Sequence, residues 1–305
     1  MIVAKLPKVR NLFSQKEVLM VKRNTVCMVV GSMMIALLFT TGAMGMDVGK
    51  AADQVYRTAE ERVPFPVLSA EYPEMTVADS YAVQKAYSLK RLDGARPAGF
   101  KAGLTTEATM KRFGASSPFA AVLFPEGEVK EIAGSTVVKR GDFGNLMIEA
   151  EIAFILGEDI GAPLKDEAGL RAKVAAVAPA IELPDLAFTD MKLLKAVDIN
   201  ASAISSKSWI VGKPVPLAEA PDLNDLEPAL SLDGVEVTRG KGSDALGDQW
   251  KAALWLVNTM LEEGWTMKKG DVLLTGALGN MIPGKPGKYV YSVEPLGTMH
   301  FVVNE

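Results

Sequence analysis

Met147-Ile148-Glu149-Ala150-Glu151-Ile152-Ala153-Phe154-Ile155-Leu156-Gly157 is the stretch on which the fold turns. Successive side chains of a strand point to opposite faces. As a strand, this segment puts Ile148, Ala150, Ile152, Phe154 and Leu156 on one uniformly apolar face. Met147, Glu149, Glu151, Ala153 and Ile155 form the other, so two carboxylates project side by side, about 6–7 Å apart, from an otherwise apolar surface. Like charges so placed repel, and burial adds a desolvation cost unless something positive joins them. A divalent cation meets that need. The alternative is a solvated face where both glutamates meet water, and the local pattern alone favours it.

Outward from this strand, short β-like runs recur from Gly99 onward, bounded by Gly, Pro and Asp. They lie at 120–124, 135–139, 174–183, 208–211, 230–232, 235–238, 272–275, 289–293 and 298–303. Two helical stretches interrupt them, at about 166–178 and at 245–263. Before Gly99 the spacing is helical. Residues 47–62 form one helix, broken by Pro64 and Pro66. Thr76 can cap a second, with Asp79 closing a capping-box variant. Tyr81, Val83, Ala86, Tyr87 and Leu89 supply its apolar stripe, and Gly94 with Pro97 ends it. Many strands with few helices between them argue against a doubly wound parallel sheet. The chain reads as α+β, with a β-rich domain at 99–305 and a small helical N-terminal segment at 46–98.

Composition narrows the chemistry. The 305 residues are 49% hydrophobic and 23% charged, a globular balance, and no repeat is visible. Residues 1–45 hold six of the 33 basic residues and one of the 37 acidic ones. The rest carries 27 basic and 36 acidic residues, a net of −9, which argues against nucleic acid as a partner. Cys27 and His300 are the only residues of their kinds. Thiolate metal sites, a cysteine nucleophile and a Ser-His-Asp machine are therefore disfavoured, and His300 reads as a packing residue. Any metal site must be oxygen-rich, which suits Mg²⁺ or Mn²⁺. No GxGxxG, Walker loop, GxSxG or HExxH occurs.

The N-terminus reads as an address. Lys22 and Arg23 precede an apolar run at 26–39, and Ala43 and Gly45 place small residues before Met46. This fits a signal peptide over 1–45 and an exported body, periplasmic or extracellular. An uncleaved anchor is the alternative, because 26–46 nearly reaches the roughly 20 residues that span a bilayer. Either way, membrane contact is confined to this segment.

Three further segments bear on the carboxylates. In the run 174–185, Glu182 ends a long apolar stretch and Pro184-Asp185 follows. Three carboxylates from two apolar strands, in a chain poor in His and Cys, look like an oxygen-rich metal site. Lys101 lies in Gly99-Phe100-Lys101-Ala102-Gly103-Leu104-Thr105-Thr106, where burial could lower its pKa and make it an acid/base group. Taken alone, a surface lysine at a glycine turn is the stronger reading. The run 270–279 ends a strand in Thr275-Gly276, where a hydroxyl and backbone N–H groups can grip a carboxylate or simply close a turn.

Together, GFKAGLTT, IEAEIAFILGEDI, AIELPD and GDVLLTGALG resemble, in order and spacing, the 2-hydroxypentadienoate (2-keto-4-pentenoate) hydratase and 4-oxalocrotonate decarboxylase family of the fumarylacetoacetate hydrolase superfamily. The resemblance runs from about Ala51 to Val303. It implies a mixed-sheet barrel or roll and a homo-oligomer. It implies Mg²⁺ or Mn²⁺ on Glu149, Glu151 and Glu182, with Lys101 moving protons. It implies substrate contacts at Leu104, Asn200, Ser202, Thr275 and Gly276. The implied activity is a metal-dependent lyase acting on a small 2-hydroxydienoic or 2-oxo acid through a metal-stabilised enolate. Decarboxylation, acylpyruvate-type C–C hydrolysis, or exported non-catalytic binding of an oxo acid are the alternatives. Many relatives carry an acid where this chain reads Ser117-Pro118-Phe119-Ala120-Ala121, with Phe119 nearest its place. Export is a second departure, since such enzymes usually serve cytoplasmic catabolism of aromatic compounds.

Overall fold

The computed structural model describes residues 46–132 and 135–305, so the expected export segment at 1–45 lies outside the described residues. The helices are α1 (Val48–Glu61), α2 (Leu68–Glu71), α3 (Val77–Leu92), α4 (Glu107–Phe113), α5 (Glu167–Arg171), α6 (Ala196–Ala201) and α7 (Gln249–Glu262). The first strands are β1 (Gly99–Gly103), β2 (Phe119–Leu123), β3 (Val137–Lys139), β4 (Met147–Leu156), β5 (Val174–Leu183), β6 (Ser208–Val211) and β7 (Val215–Pro216). They are followed by β8 (Ala229–Leu232), β9 (Val235–Arg239), β10 (Val272–Leu274), β11 (Ile282–Pro283), β12 (Gly287–Val293) and β13 (Gly297–Asn304).

Local chemistry sets the N-terminal helices. Asp47 accepts the Lys50 N–H to cap α1, which buries Ala51, Ala52 and Val55 on the side facing α3. The Thr76/Asp79 box caps α3 as the spacing predicts, with Asp79 N–H to Thr76 at 3.1 Å and Thr76 N–H to Asp79 at 2.9 Å. Asp93 and Gly94, both with positive φ, then turn the chain into β1.

Two sheets make the α+β body. One runs β2-β1-β10-β4-β5-β6, with β11 added to β4 and β7 to β5. The other runs β3-β13-β12-β8-β9. Pairing is antiparallel except at β1–β10 and β3–β13. Helix α7 covers β1, β2 and β10, and Trp250 meets Phe154 edge-on at a centroid distance of 4.9 Å.

The structure revises several expectations. The helix read at 166–178 shrinks to α5, because from Val174 the chain pairs with β4 and β6 on its two edges. Helices α2, α4 and α6 span only four to seven residues, too short to show a 3.6-residue stripe. His300 does not pack in the core: it is exposed on β13.

Candidate metal centre

Register brings the carboxylates together. On β4 and β5, Glu149 lies directly opposite Glu182, and Glu151 opposite Ala180. Paired residues share a face, as do residues two apart, so all three glutamates project to one side. One oxygen from each can be chosen so that the three lie within 4.8 Å of one another. Glu151 and Glu182 are 0% exposed, and Glu149 is half-buried.

Lys101 shows how strongly the sheet curls. The register Lys101↔Leu274↔Ala153↔Ala178 puts its side chain on the same face as the glutamates. Strand β1 is three strands from β5, which in a flat sheet is about 14 Å. Yet Lys101 Nζ donates to Glu182 Oε1 at 2.5 Å. Ala153, Ala178 and Ala180 are the small buried residues on this inner face that leave room for the contact. The same ammonium donates to the Ile204 carbonyl at 3.2 Å.

The remaining oxygens are unevenly served. Glu151 Oε2 accepts the Gly276 N–H at 2.8 Å. Glu151 Oε1 and Glu182 Oε2 have no partner in the protein. Among the described residues four buried side-chain polar atoms are unpartnered, and a third, Ser205 Oγ, belongs to the turn beside Ile204. Buried polar atoms are ordinarily satisfied, so this clustering marks a place built for something else. Burial pushes the Glu151 carboxyl up to about 8, and Glu149 adds to the rise. Lys101 and the Gly276 N–H pull the other way. Glu182 is also held well above the usual carboxylate range, first by burial. Lys101 opposes that rise, and Glu149 adds to it. Three carboxylates against one ammonium leave −2 when all are ionised. That balance and the two open oxygens fit one hard divalent cation.

The Ile204 carbonyl is aimed by an unusual turn. Ala203, Ile204 and Ser205 all have φ 54, a left-handed run without glycine. The Ile204 N–H to Ile199, the Ser205 N–H to Ser202 and the Asp185 N–H to Ser205 hold it in place. Sequence patterning carries no signal for such a turn.

The other expected site residues fare differently. Leu104 bends the chain with φ 56, next to Gly103, whose Cβ, if it had one, would meet Ile204 Cγ2 at 2.5 Å. Asn200 is fully buried, accepts from Gln84 and donates to Ser80. Ser202 donates to the Ile199 carbonyl. Both side chains therefore secure α6. The Thr275 hydroxyl donates to Gln249 Oε1 at 2.7 Å, on the α7 side of the sheet. Of the two donors expected to grip a substrate carboxylate, one is thus committed to Gln249, and the other, Gly276 N–H, grips Glu151 of the protein itself. Sequence reasoning missed Ile204, Gln249 and Tyr291, whose hydroxyl donates to the Glu151 carbonyl at 3.0 Å.

Two curled mixed sheets and a cluster of three carboxylates, two of them fully buried, beside a lysine define an oxygen-ligand metal-site class. A family model for the fumarylacetoacetate (FAA) hydrolase C-terminal region matches residues 105–304. A 2-keto-4-pentenoate hydratase of Paraburkholderia xenovorans (strain LB400) is 31% identical over 242 residues, 78% of this chain and 87% of that protein. Its counterpart from Burkholderia vietnamiensis (strain G4 / LMG 22486) is 32% identical over 233 residues, 74% of this chain and 86% of that one. The structure of 4-oxalocrotonate decarboxylase from Pseudomonas putida G7, complexed with magnesium and adipate, aligns with a TM-score of 0.77 at 25% identity. That alignment covers 84% of this chain and 97% of the other. The chain belongs to the fumarylacetoacetate hydrolase family.

Proposed function

We propose that this protein is a Mg²⁺- or Mn²⁺-dependent lyase of the 2-keto-4-pentenoate hydratase type, acting on a small 2-hydroxydienoic or 2-oxo acid. The observation that carries the reading is the buried Glu149–Glu151–Glu182 cluster, with two open oxygens and Lys101 on its edge. These three glutamates would hold the cation. When bound, it supplies Lewis-acid stabilisation of negative charge developing on the substrate's 2-oxo oxygen. Lys101 has three donors, of which Glu182 and Ile204 take two. The third is free to hold or pass a proton at Nζ toward the reacting carbon chain. Of the expected substrate-contact positions, Gly276 adjoins the cluster through its N–H bond to Glu151, and Leu104 follows β1, the strand that carries Lys101. The hydratase names of the relatives at 31–32% identity support the reaction class.

Decarboxylation is the second reading, and one observation favours it. Phe119, buried and packed on Tyr81 at a centroid distance of 5.9 Å, stands nearest the place where the family resemblance implies a water-activating acid. Turnover of 2-hydroxypenta-2,4-dienoate tests the hydratase reading, and CO₂ release from an unsaturated six-carbon 2-oxo diacid tests the decarboxylase reading, each with and without Mg²⁺ or Mn²⁺. Metal-dependent loss of the dienoate, abolished in Glu149→Ala/Glu151→Ala, is the expected result. The hydrated product separates hydration from tautomerisation. Metal-dependent binding of an unreactive 2-oxo acid without turnover of any substrate would replace the lyase by an oxo-acid-binding protein.

Export and homo-oligomer formation are part of the same proposal. The basic residues and apolar run before Met46 support export. No helix among the described residues is long and apolar enough to cross a membrane. Cell fractionation and light scattering test the two points.

A further inference from the structure

Gln249 is the first residue of α7 and is 0% exposed, an uncommon place for an amide side chain. Its side-chain amide is held at both ends. The backbone N–H donates to Asn224 Oδ1 at 2.9 Å, Nε2 donates to the Gly242 carbonyl at 2.6 Å, and Oε1 accepts from Thr275 at 2.7 Å. Leu274 shares the inner face with Lys101, so the next side chain, Thr275, turns to the outer side where α7 lies. At Gly276 the chain takes φ +109, and a Cβ there would fall 2.3 Å from Thr105 Oγ1. That bend sends the Gly276 N–H back to the inner face and onto Glu151 Oε2.

Glu151's backbone is pinned by Tyr291, and neighbouring Ala150 by the Leu278 N–H at 2.8 Å. What remains free is the rotation of the carboxylate, and Gly276 is its one hydrogen-bond donor among the described residues. The donor decides which oxygen stays open, and the open one is Oε1. We infer that Gln249 is a positioning residue for the metal centre: by holding Thr275 from the far side of the sheet it fixes the Gly276 N–H, which aims Glu151. The inference rests on the proposed metal-dependent function. It also gives Thr275 a role: its proton is committed to Gln249, so it anchors the turn and does not clamp a substrate carboxylate.

The test is Mn²⁺ affinity of the full-length protein, by calorimetry, with the thermal midpoint in EDTA measured beside it. Outer-shell partners typically change metal affinity 10- to 100-fold. Gln249→Met removes the acceptor at similar size and is expected to weaken Mn²⁺ about 10-fold. Thr275→Val removes the donor from the other end and is expected to do the same, while Thr275→Ser keeps affinity within about twofold. The Gln249→Met/Thr275→Val double variant is expected to be no weaker than either single one, because both cut one link. A folded Gln249→Met protein with wild-type affinity overturns the inference and leaves Gln249 as packing, whatever its thermal midpoint. If Gln249→Met does not fold, the Thr275→Val and Thr275→Ser pair decides, and wild-type affinity in Thr275→Val overturns it. Failure of the folded wild-type protein to bind Mn²⁺ sinks the proposed function itself, and this inference with it.

Discussion

The two sheets use the same strand alternation to opposite ends. In β12 and β13, Tyr289, Tyr291, Met299 and Phe301 point inward, while Lys288, Thr298 and His300 face solvent. Tyr289 stacks on Phe301 at 4.9 Å, nearly parallel at 6°. In β4 and β5, both faces are buried, and one of them carries Glu151 and Glu182. Turns follow the same division. Strands β8 and β9 join through Asp233-Gly234, two residues suited to positive φ, as a two-residue hairpin asks. The turn beside Lys101 imposes the same region on Ala203, Ile204 and Ser205. One sheet follows local preference in its alternation and its hairpin turn, with a single register shift at Leu230/Ser231. The other departs from those preferences where the carboxylates meet, as functional sites do.

The largest expected effect breaks the consistent sheet. Phe301→Ala should destabilise the protein by about 4 kcal/mol, the usual cost of emptying a buried aromatic position. Urea unfolding measures it. Mn²⁺ affinity of the protein that remains folded should stay unchanged, since Phe301 stacks on Tyr289, whereas this sheet meets Glu151 through Tyr291. A matching loss of affinity would mean that the two sheets do not divide stability and chemistry as described.

A smaller effect of the opposite sign belongs to the carboxylates. Burial raises the Glu151 carboxyl from its ordinary 4.5 to about 8. Between these values the folded state holds more protons than the unfolded one, so stability falls as pH rises. This contribution is fully present below about 4.5 and is lost as pH climbs through about 8. The slope is at most about 1.4 kcal/mol per pH unit for one proton. Glu151→Gln removes the ionisation. In EDTA at pH 8 it should raise stability on the order of 2 kcal/mol and flatten the pH dependence, while Mn²⁺ binding is lost. Unfolding at pH 5.5 and pH 8 checks the sign, and a wild-type protein more stable at pH 8 contradicts it.

The same contrast explains what could be read in advance. Alternation alone puts Glu149 and Glu151 on one face, because a strand's period is two whatever surrounds it. The capping box at Thr76 is equally local. Glu182 stood out because an acid ending a long apolar run is conspicuous. The partners of Thr275 and Gly276 are not readable: Gln249 is 26 residues from one and Glu151 125 residues from the other, and only the β10–β4 register and the packing of α7 on β10 join them. Asn200 lies on a six-residue helix and Ser202 caps its end, and packing, not composition, turns them toward α3 and their own backbone. The left-handed turn at 203–205 contradicts the preferences of its own residues, so no propensity argument finds it.

That turn carries the smallest and most discriminating prediction. Ser205 is 1% exposed, its hydroxyl has no partner in the protein, and its φ is 54. Glycine there removes a buried unsatisfied hydroxyl and a strained Cβ together, and breaks no side-chain hydrogen bond. Ser205→Gly should therefore stabilise the protein by about 1 kcal/mol, which corresponds to roughly 2–4 °C in the thermal midpoint of a domain of this size. The same exchange at Gly234, made in reverse as Gly234→Ser, should cost about 1 kcal/mol, because there the residue already suits its backbone. If Ser205→Gly instead loses stability, the hydroxyl has a partner such as a bound water, and the turn is less strained than its dihedrals say. If it gains stability but loses turnover, the hydroxyl serves the ligand, and the strained turn beside Lys101 is retained for the reaction at the expense of the fold.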